Sequence, residues 1–302
     1  MHQVTGLIAA VHTPLDEHGG FRPSVVQAQS EYLSSQPVVG VYVCGSTGES
    51  LSLSVPERKQ VLEAWMTNRC EHQMVIAHVG ANALEDCIEL SAHAMECRVD
   101  AVSAMHPTFA RPGRIEDLVA FHAKIAAAAT DLPYFLYDFA AMGGPEFPSS
   151  AVLSEAHHRI PNLAGVKFTA GNLHELQLTL DVAESDGLQV LFGHDELLLA
   201  GLALGCRGAI GSTYNYAASL YAPILESFAS GDVAQARALQ RRSARLVETL
   251  LEFGVLRTGK ALVEQLGIDV GPPKAPERGL DADELAEVMS RIAPLDIPGL
   301  GG

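Results

Sequence analysis

Two hydrophobic periods alternate along most of this chain. Short runs that stay apolar at successive positions fall at 6–14 (GLIAAVHTP), 38–45 (VVGVYVCG), 74–80 (MVIAHVG), 100–107 (DAVSAMHP), 132–139 (LPYFLYDF), 163–169 (LAGVKFT), 188–193 (LQVLFG) and 207–212 (RGAIGS). Runs this short, apolar on both parities, predict strands buried on both faces, as in a parallel sheet. Between them, stretches such as PERKQVLEAWMTNRC, ALEDCIELSAHAMECR, IEDLVAFHAKIAAAAT and LHELQLTLDVAES carry helical periodicity, several opened by Ser, Pro, Asn or acidic residues. Eight strands separated by helices predict an α/β chain closed into a (β/α)8 TIM barrel rather than an open doubly wound sheet. No GxGxxG follows the first strand, so no dinucleotide site is expected. Further helical stretches follow the last strand. We expect a barrel catalytic domain over 1–220, a C-terminal helical extension over 221–302, and a frayed tail at PLDIPGLGG.

Composition narrows the function. At 302 residues, 48% hydrophobic and 19% charged, the chain can bury a large core. Its formal charge of −16, from 20 basic and 36 acidic residues, argues against nucleic acid or an anionic membrane and for a small-molecule partner. There is no signal-like N-terminus and no apolar run of bilayer length, so a cytoplasmic protein is expected. The five cysteines lack CxxC spacing and the twelve histidines form no HExxH, so neither disulfides nor a metal is expected.

The most unusual position is Lys167, an ammonium group within the apolar run LAGVKFT. Burial pushes a lysine toward its neutral, nucleophilic form, which makes Lys167 a candidate Schiff-base former unless the residue ends its strand in solvent. The other four lysines fall in helix-like stretches (Lys59, Lys124, Lys260) or in the GPPKAP loop (Lys274), and are read as solvated or snorkelling. Barrel chemistry collects at the C-terminal ends of strands, and polar residues recur there. The turn Gly45-Ser46-Thr47-Gly48-Glu49 offers hydroxyls and backbone N–H groups suited to a carboxylate. Tyr137 ends the fifth strand, where a phenol can relay a proton, although period-two parity leaves open whether Tyr137 or Tyr134 faces the lumen. The seventh and eighth strands end in Gly193-His194-Asp195-Glu196 and Gly211-Ser212-Thr213-Tyr214-Asn215, groups suited to a polyol. Asp195 and Glu196 could equally serve the N-terminus of the apolar helix that follows.

With GSTGE, a strand-end tyrosine and GVK in this order, the chain resembles the pyruvate-dependent Schiff-base aldolases of the dihydrodipicolinate synthase and N-acetylneuraminate lyase superfamily over nearly its whole length. FGHDE followed by GAIGSTYN resembles the N-acetylneuraminate lyase branch. The resemblance implies that Lys167 forms an imine with a 2-keto group, Tyr137 and Ser46 relay the proton, and Thr47 holds the pyruvyl carboxylate. It further implies that Thr169, Gly193, Asp195, Glu196 and Ser212 contact the sugar, with no cofactor beyond the lysine imine, in a homotetramer built from dimers. The implied reaction is reversible cleavage of N-acetylneuraminate to N-acetylmannosamine and pyruvate.

Met142 stands where dihydrodipicolinate synthases carry an arginine for a second carboxylate, and a buried thioether there disfavours that reaction. The chain departs from the pattern at Phe109, in place of a tyrosine that crosses between subunits, and at Cys44 and Asp138-Phe139-Ala140 beside the cavity. A related aldolase or dehydratase acting on another 2-keto-3-deoxy sugar acid, or a non-catalytic sugar-binding barrel, are the competing readings.

Overall fold

The structure is a computed structural model that describes residues 3–143 and 146–300. In chain order its strands and helices are β1 (Gly6–Ala10), α1 (Ser24–Ser34), β2 (Gly40–Val43), α2 (Val55–Thr67), β3 (Met74–His78), α3 (Leu84–Glu96), β4 (Ala101–Met105), α4 (Ile115–Ala126), β5 (Tyr134–Asp138), α5 (Ser149–His157), β6 (Leu163–Phe168), α6 (Leu173–Asp186), β7 (Gln189–Phe192), α7 (Leu198–Leu204), β8 (Gly208–Gly211), α8 (Tyr214–Ala229), α9 (Val233–Phe253), α10 (Val255–Gln265) and α11 (Ala282–Ile292). All eight strands are parallel, pair in sequence order, and close through β1 and β8 into a barrel. Each lies inside an expected run. Four helices begin on a side-chain cap: Ser54 and Glu57 form a capping box on α2, Asp281 and Glu284 another on α11, Asn172 caps α6 and Asp232 caps α9.

Burial on both strand faces divides the core in two. Ile8, Ala10, Tyr42, Ile76, Met105, Phe135, Tyr137, Leu191 and Ile210 form one cluster, whereas Val41, Val75, Val102, Tyr134, Leu136 and Phe192 belong to the larger cluster that includes helix residues such as Trp65 and Leu118. The first fills the lumen; the second lies under the helices. The parity left open at β5 is thereby decided: Tyr137 faces the lumen with Phe135, and Tyr134 faces outward, its hydroxyl 2.6 Å from His122 Nδ1.

Strand β6 contains an irregularity. Tyr134 pairs with Leu163 but Phe135 pairs with Gly165, so Ala164 is an extra residue, a β-bulge. Ala164 packs against the lumen cluster and Val166 and Phe168 against the outer one, which sets Lys167 into the lumen. Gly165 permits this, with a φ of 151° and a backbone approach that would put a Cβ 1.8 Å from the Gln189 carbonyl oxygen.

The C-terminal region differs from the sequence reading in three respects. Helix α8 follows β8 directly and runs through residues 220 and 221, with a non-helical residue at Ala217. The tail is packed rather than frayed: Leu295, Ile297 and Leu300 are buried, and Arg242 Nε donates to the Leu295 carbonyl at 2.7 Å, while residues 301–302 lie outside the described chain. Lys260 is not solvated but 2% exposed, its Nζ 2.7 Å from a Glu49 carboxylate that is equally buried. Lys59 pairs with Glu89, Lys274 pairs with Glu57, and Lys124 is exposed. No helix among the described residues is long and apolar enough to cross a membrane.

Candidate active site

Lys167 is the penultimate residue of β6 and only 5% exposed. It is in register with Tyr137 on β5 and Leu191 on β7. Its Nζ lies 3.9 Å from the centroid of the Tyr137 ring and 4.7 Å from that of Tyr42, and it makes no ion pair among the described residues. Two electron-rich faces thus hold the amine. A carboxylate would instead anchor it as a permanent charge.

The phenols are fixed in turn. Tyr137 OH shares a hydrogen bond of 3.3 Å with Ser46 Oγ, and Tyr42 OH donates to Ser103 Oγ at 3.0 Å. His78 meets Tyr137 edge to face at 5.8 Å. Its Nδ1 is 2.8 Å from the Cys44 carbonyl and its Nε2 3.1 Å from the Met105 N–H, so Nδ1 carries the proton and the ring is neutral. Burial, reinforced by the Arg58 charge, pushes the His78 pKa well below the ordinary value. The histidine also supports Cys44, whose φ of 57° is left-handed although it carries a side chain. The turn after β2 therefore has a braced entry.

Ser46 and Thr47 are half-buried, and their N–H groups donate to no carbonyl or side chain among the described residues. That leaves a nest of free donors beside the phenol and the amine. Just after β7, Asp195 is buried. Its Oδ2 accepts from Thr213 N–H (3.1 Å) and Oγ1 (2.6 Å), and its Oδ1 has no partner. Burial outweighs those hydrogen bonds and raises its pKa to about 6, against an opposing pull from the Lys167 charge. Glu196 turns to His194, Nδ1 to Oε1 3.0 Å, and this contact holds His194 above its ordinary pKa despite burial. Thr169 Oγ1 is buried without a partner, and Gly193 makes room for it, since a Cβ there would lie 2.1 Å from that oxygen. Ser212, half-buried at the end of β8, gives its carbonyl to Asn215 Nδ2.

The C-terminal ends of the strands therefore bring a buried amine, a phenol and a hydroxyl together, with an unsatisfied carboxyl near enough to feel the Lys167 charge, groups whose chemistry suits condensation with a ketone. Among the described residues no three His, Cys, Asp or Glu gather as a metal-ligand set. The Dihydrodipicolinate synthetase family matches residues 3–294. The chain belongs to that family. Within the dihydrodipicolinate synthetase family, it is 34% identical to the N-acetylneuraminate lyase of Gallus gallus over 302 residues, covering 98% of this chain and 97% of that one. The Homo sapiens lyase is likewise 34% identical, over 97% and 93% of the two chains. Among solved structures, the N-acetylneuraminate lyase of Proteus mirabilis superposes with a TM-score of 0.94 at 35% identity, covering 98% of this chain and all of that one. That of Aliivibrio salmonicida gives 0.93 at 36% identity, covering 98% of each.

One position singled out against the family pattern differs from its expected setting. Met142 is 41% exposed rather than buried, so its lack of charge, not its burial, is what denies a second carboxylate a partner. Phe109 is 89% exposed and so takes no part in this protomer's lumen. Sequence reasoning missed Tyr42, His78 and Ser103, which support the amine and phenol from below. The alternation of YV, AH and VS inside apolar strands was the available signal, because polar groups on a lumen parity require partners.

Proposed function

We propose that the protein is a class I aldolase that reversibly cleaves N-acetylneuraminate to N-acetylmannosamine and pyruvate through an imine on Lys167. The observation that carries this reading is the pairing of Lys167 with Tyr137 across β5 and β6, with Ser46 on the phenol oxygen. Lys167 Nζ attacks the C2 ketone of the open-chain substrate and water leaves, giving an iminium ion. The Tyr137 phenol, hydrogen-bonded to Ser46, supplies the proton that the departing water carries off and then recovers one from the C4 hydroxyl. The C3–C4 bond then breaks, its electron pair flows into the iminium as an enamine, and the aldehyde departs. Protonation at C3 and hydrolysis release pyruvate and regenerate the amine. The N–H groups of Ser46 and Thr47 receive the carboxylate, while Thr169, Asp195, Glu196 and Ser212 receive the hydroxyl-bearing part of the sugar.

Relatives named N-acetylneuraminate lyase, covered almost end to end, support this substrate over other keto sugar acids. The exposed Phe109 ring supports assembly with a second copy, and we read the whole as a homotetramer. Five free thiols support a cytoplasmic setting.

Pyruvate release, followed by coupled reduction to lactate, is expected to be faster per unit of substrate for N-acetylneuraminate than for any other acid in a panel of 2-keto-3-deoxy sugar acids. A higher kcat/KM for another member would reassign the substrate. Within the same assay, Gly193→Ala forces Thr169 Oγ1 aside, and the KM for N-acetylneuraminate is expected to rise about tenfold, the equivalent of one lost hydrogen bond at about 1.4 kcal/mol. An unchanged KM would remove Thr169 from the sugar subsite.

A further inference from the structure

The turn that presents Ser46 and Thr47 is tied to the C-terminal helices by a buried ion pair. Glu49 and Lys260 are each 2% exposed, with Lys260 Nζ 2.7 Å from Glu49 Oε1. The same Nζ also donates to the Pro272 carbonyl at 2.8 Å. Glu49 Oε2 accepts the Lys274 backbone N–H at 2.6 Å. The Glu49 backbone is itself left-handed, with a φ of 59°, and its N–H closes the turn on the Ser46 carbonyl at 3.0 Å. On the opposite side Thr13 Oγ1 donates to the Gly48 carbonyl at 2.7 Å.

A buried ion pair is a poor source of stability, because taking two charges out of water costs about as much as their attraction returns, and an apolar pair of similar volume often does as well. A left-handed non-glycine residue adds a cost of its own. Both costs fall on one residue, three positions after Ser46. We infer that Glu49 and Lys260 are positioning residues that aim this turn at the carboxylate of the keto acid. The inference rests on the carboxylate role given to the turn above, and it brings α10 and the 271–276 loop into the binding of pyruvate.

The test is the pyruvate concentration that half-saturates borohydride trapping at Lys167, measured by mass spectrometry in the full-length parent, Glu49→Asp, and the double variant Glu49→Gln with Lys260→Met. Glu49→Asp keeps the charge and shortens its arm. The double variant removes both charges and keeps an acceptor for Lys274. In each, the half-saturating concentration is expected to rise about tenfold or more, with trapping at saturation unchanged in extent and the melting temperature of the double variant within a few degrees of the parent. A half-saturating concentration unchanged in both folded variants would overturn the inference. Failure of both variants to fold would overturn it as well, because the pair would then hold the fold and not the turn. A parent that traps no pyruvate at all would instead sink the reading of the site itself.

Discussion

Replacing Lys167 with alanine is expected to abolish both pyruvate release from N-acetylneuraminate and the mass increase that borohydride leaves after exposure to pyruvate. Without the amine there is no iminium to accept the electron pair of the breaking C3–C4 bond. General acid–base catalysis alone typically contributes a hundredfold to ten-thousandfold, far below the whole of an enzyme's acceleration. A fall in kcat of at least about a thousandfold, or roughly 4 kcal/mol of barrier, is therefore expected. Alanine leaves a small cavity against Tyr42 and Tyr137 and removes a cation–π contact, so the variant is expected to fold and to melt close to the parent. Lys167→Arg adds a discriminating control. The guanidinium keeps the charge over the two rings but does not deprotonate, so it forms no imine and should be equally inactive. Retention of even a tenth of parental activity in either variant would rule out covalent catalysis at this position.

The fold and the core of the site were readable for different reasons. Eight apolar runs separated by amphipathic stretches leave few ways to bury both faces of every strand, and the closed barrel found here is one of them. Lys167 stood out because an ammonium group inside such a run is costly, and Tyr137 stands in register with it on the neighbouring strand. Period alone could not choose between Tyr134 and Tyr137, nor reveal the extra residue at Ala164 that brings Lys167 onto the lumen side. A bulge is a property of two strands in register, and one strand's sequence carries only half of it. Lys260 was misread for a related reason. Helical periodicity places it next to Gly259, Leu262 and Val263, all buried, but the partner that makes its burial tolerable is Glu49, supplied from the other end of the chain. The tail was misread because its prolines and glycines argue for a loop, and say nothing of whether Leu295, Ile297 and Leu300 find a groove.

Acidification from pH 7 to pH 5 is expected to destabilise the fold by several kcal/mol, through histidines buried in their neutral form. Burial, aided by the charge of Lys260, holds His12 down to about 3. Burial lowers His106 to about 4, and lowers His78 and His122 as well. His106 Nδ1 and His122 Nε2 are 2.8 Å apart, an arrangement that requires one nitrogen to lack a proton. For a histidine whose folded pKa is depressed, the unfolded chain takes up protons near pH 6.5 that the folded chain refuses. The stabilisation is thus complete above about pH 6.5 and drains away as pH falls toward the folded value. Integrated from pH 7 to 5, His12 and His106 each account for about 2 kcal/mol, and His78 and His122 add to the loss. Asp195 works the other way. Its folded pKa, about 6, is raised above the ordinary carboxylate range, so protonating it on descent favours the fold and returns about 1 kcal/mol. The histidines outnumber it. Urea unfolding at fixed protein concentration should therefore show a midpoint markedly lower at pH 5 than at pH 7, and His12→Gln should flatten the slope by about 1.4 kcal/mol per pH unit below pH 6. Equal midpoints at the two pH values would mean that these rings open to solvent at little cost, and that the neutral His78 cannot be what braces Cys44 and Tyr137.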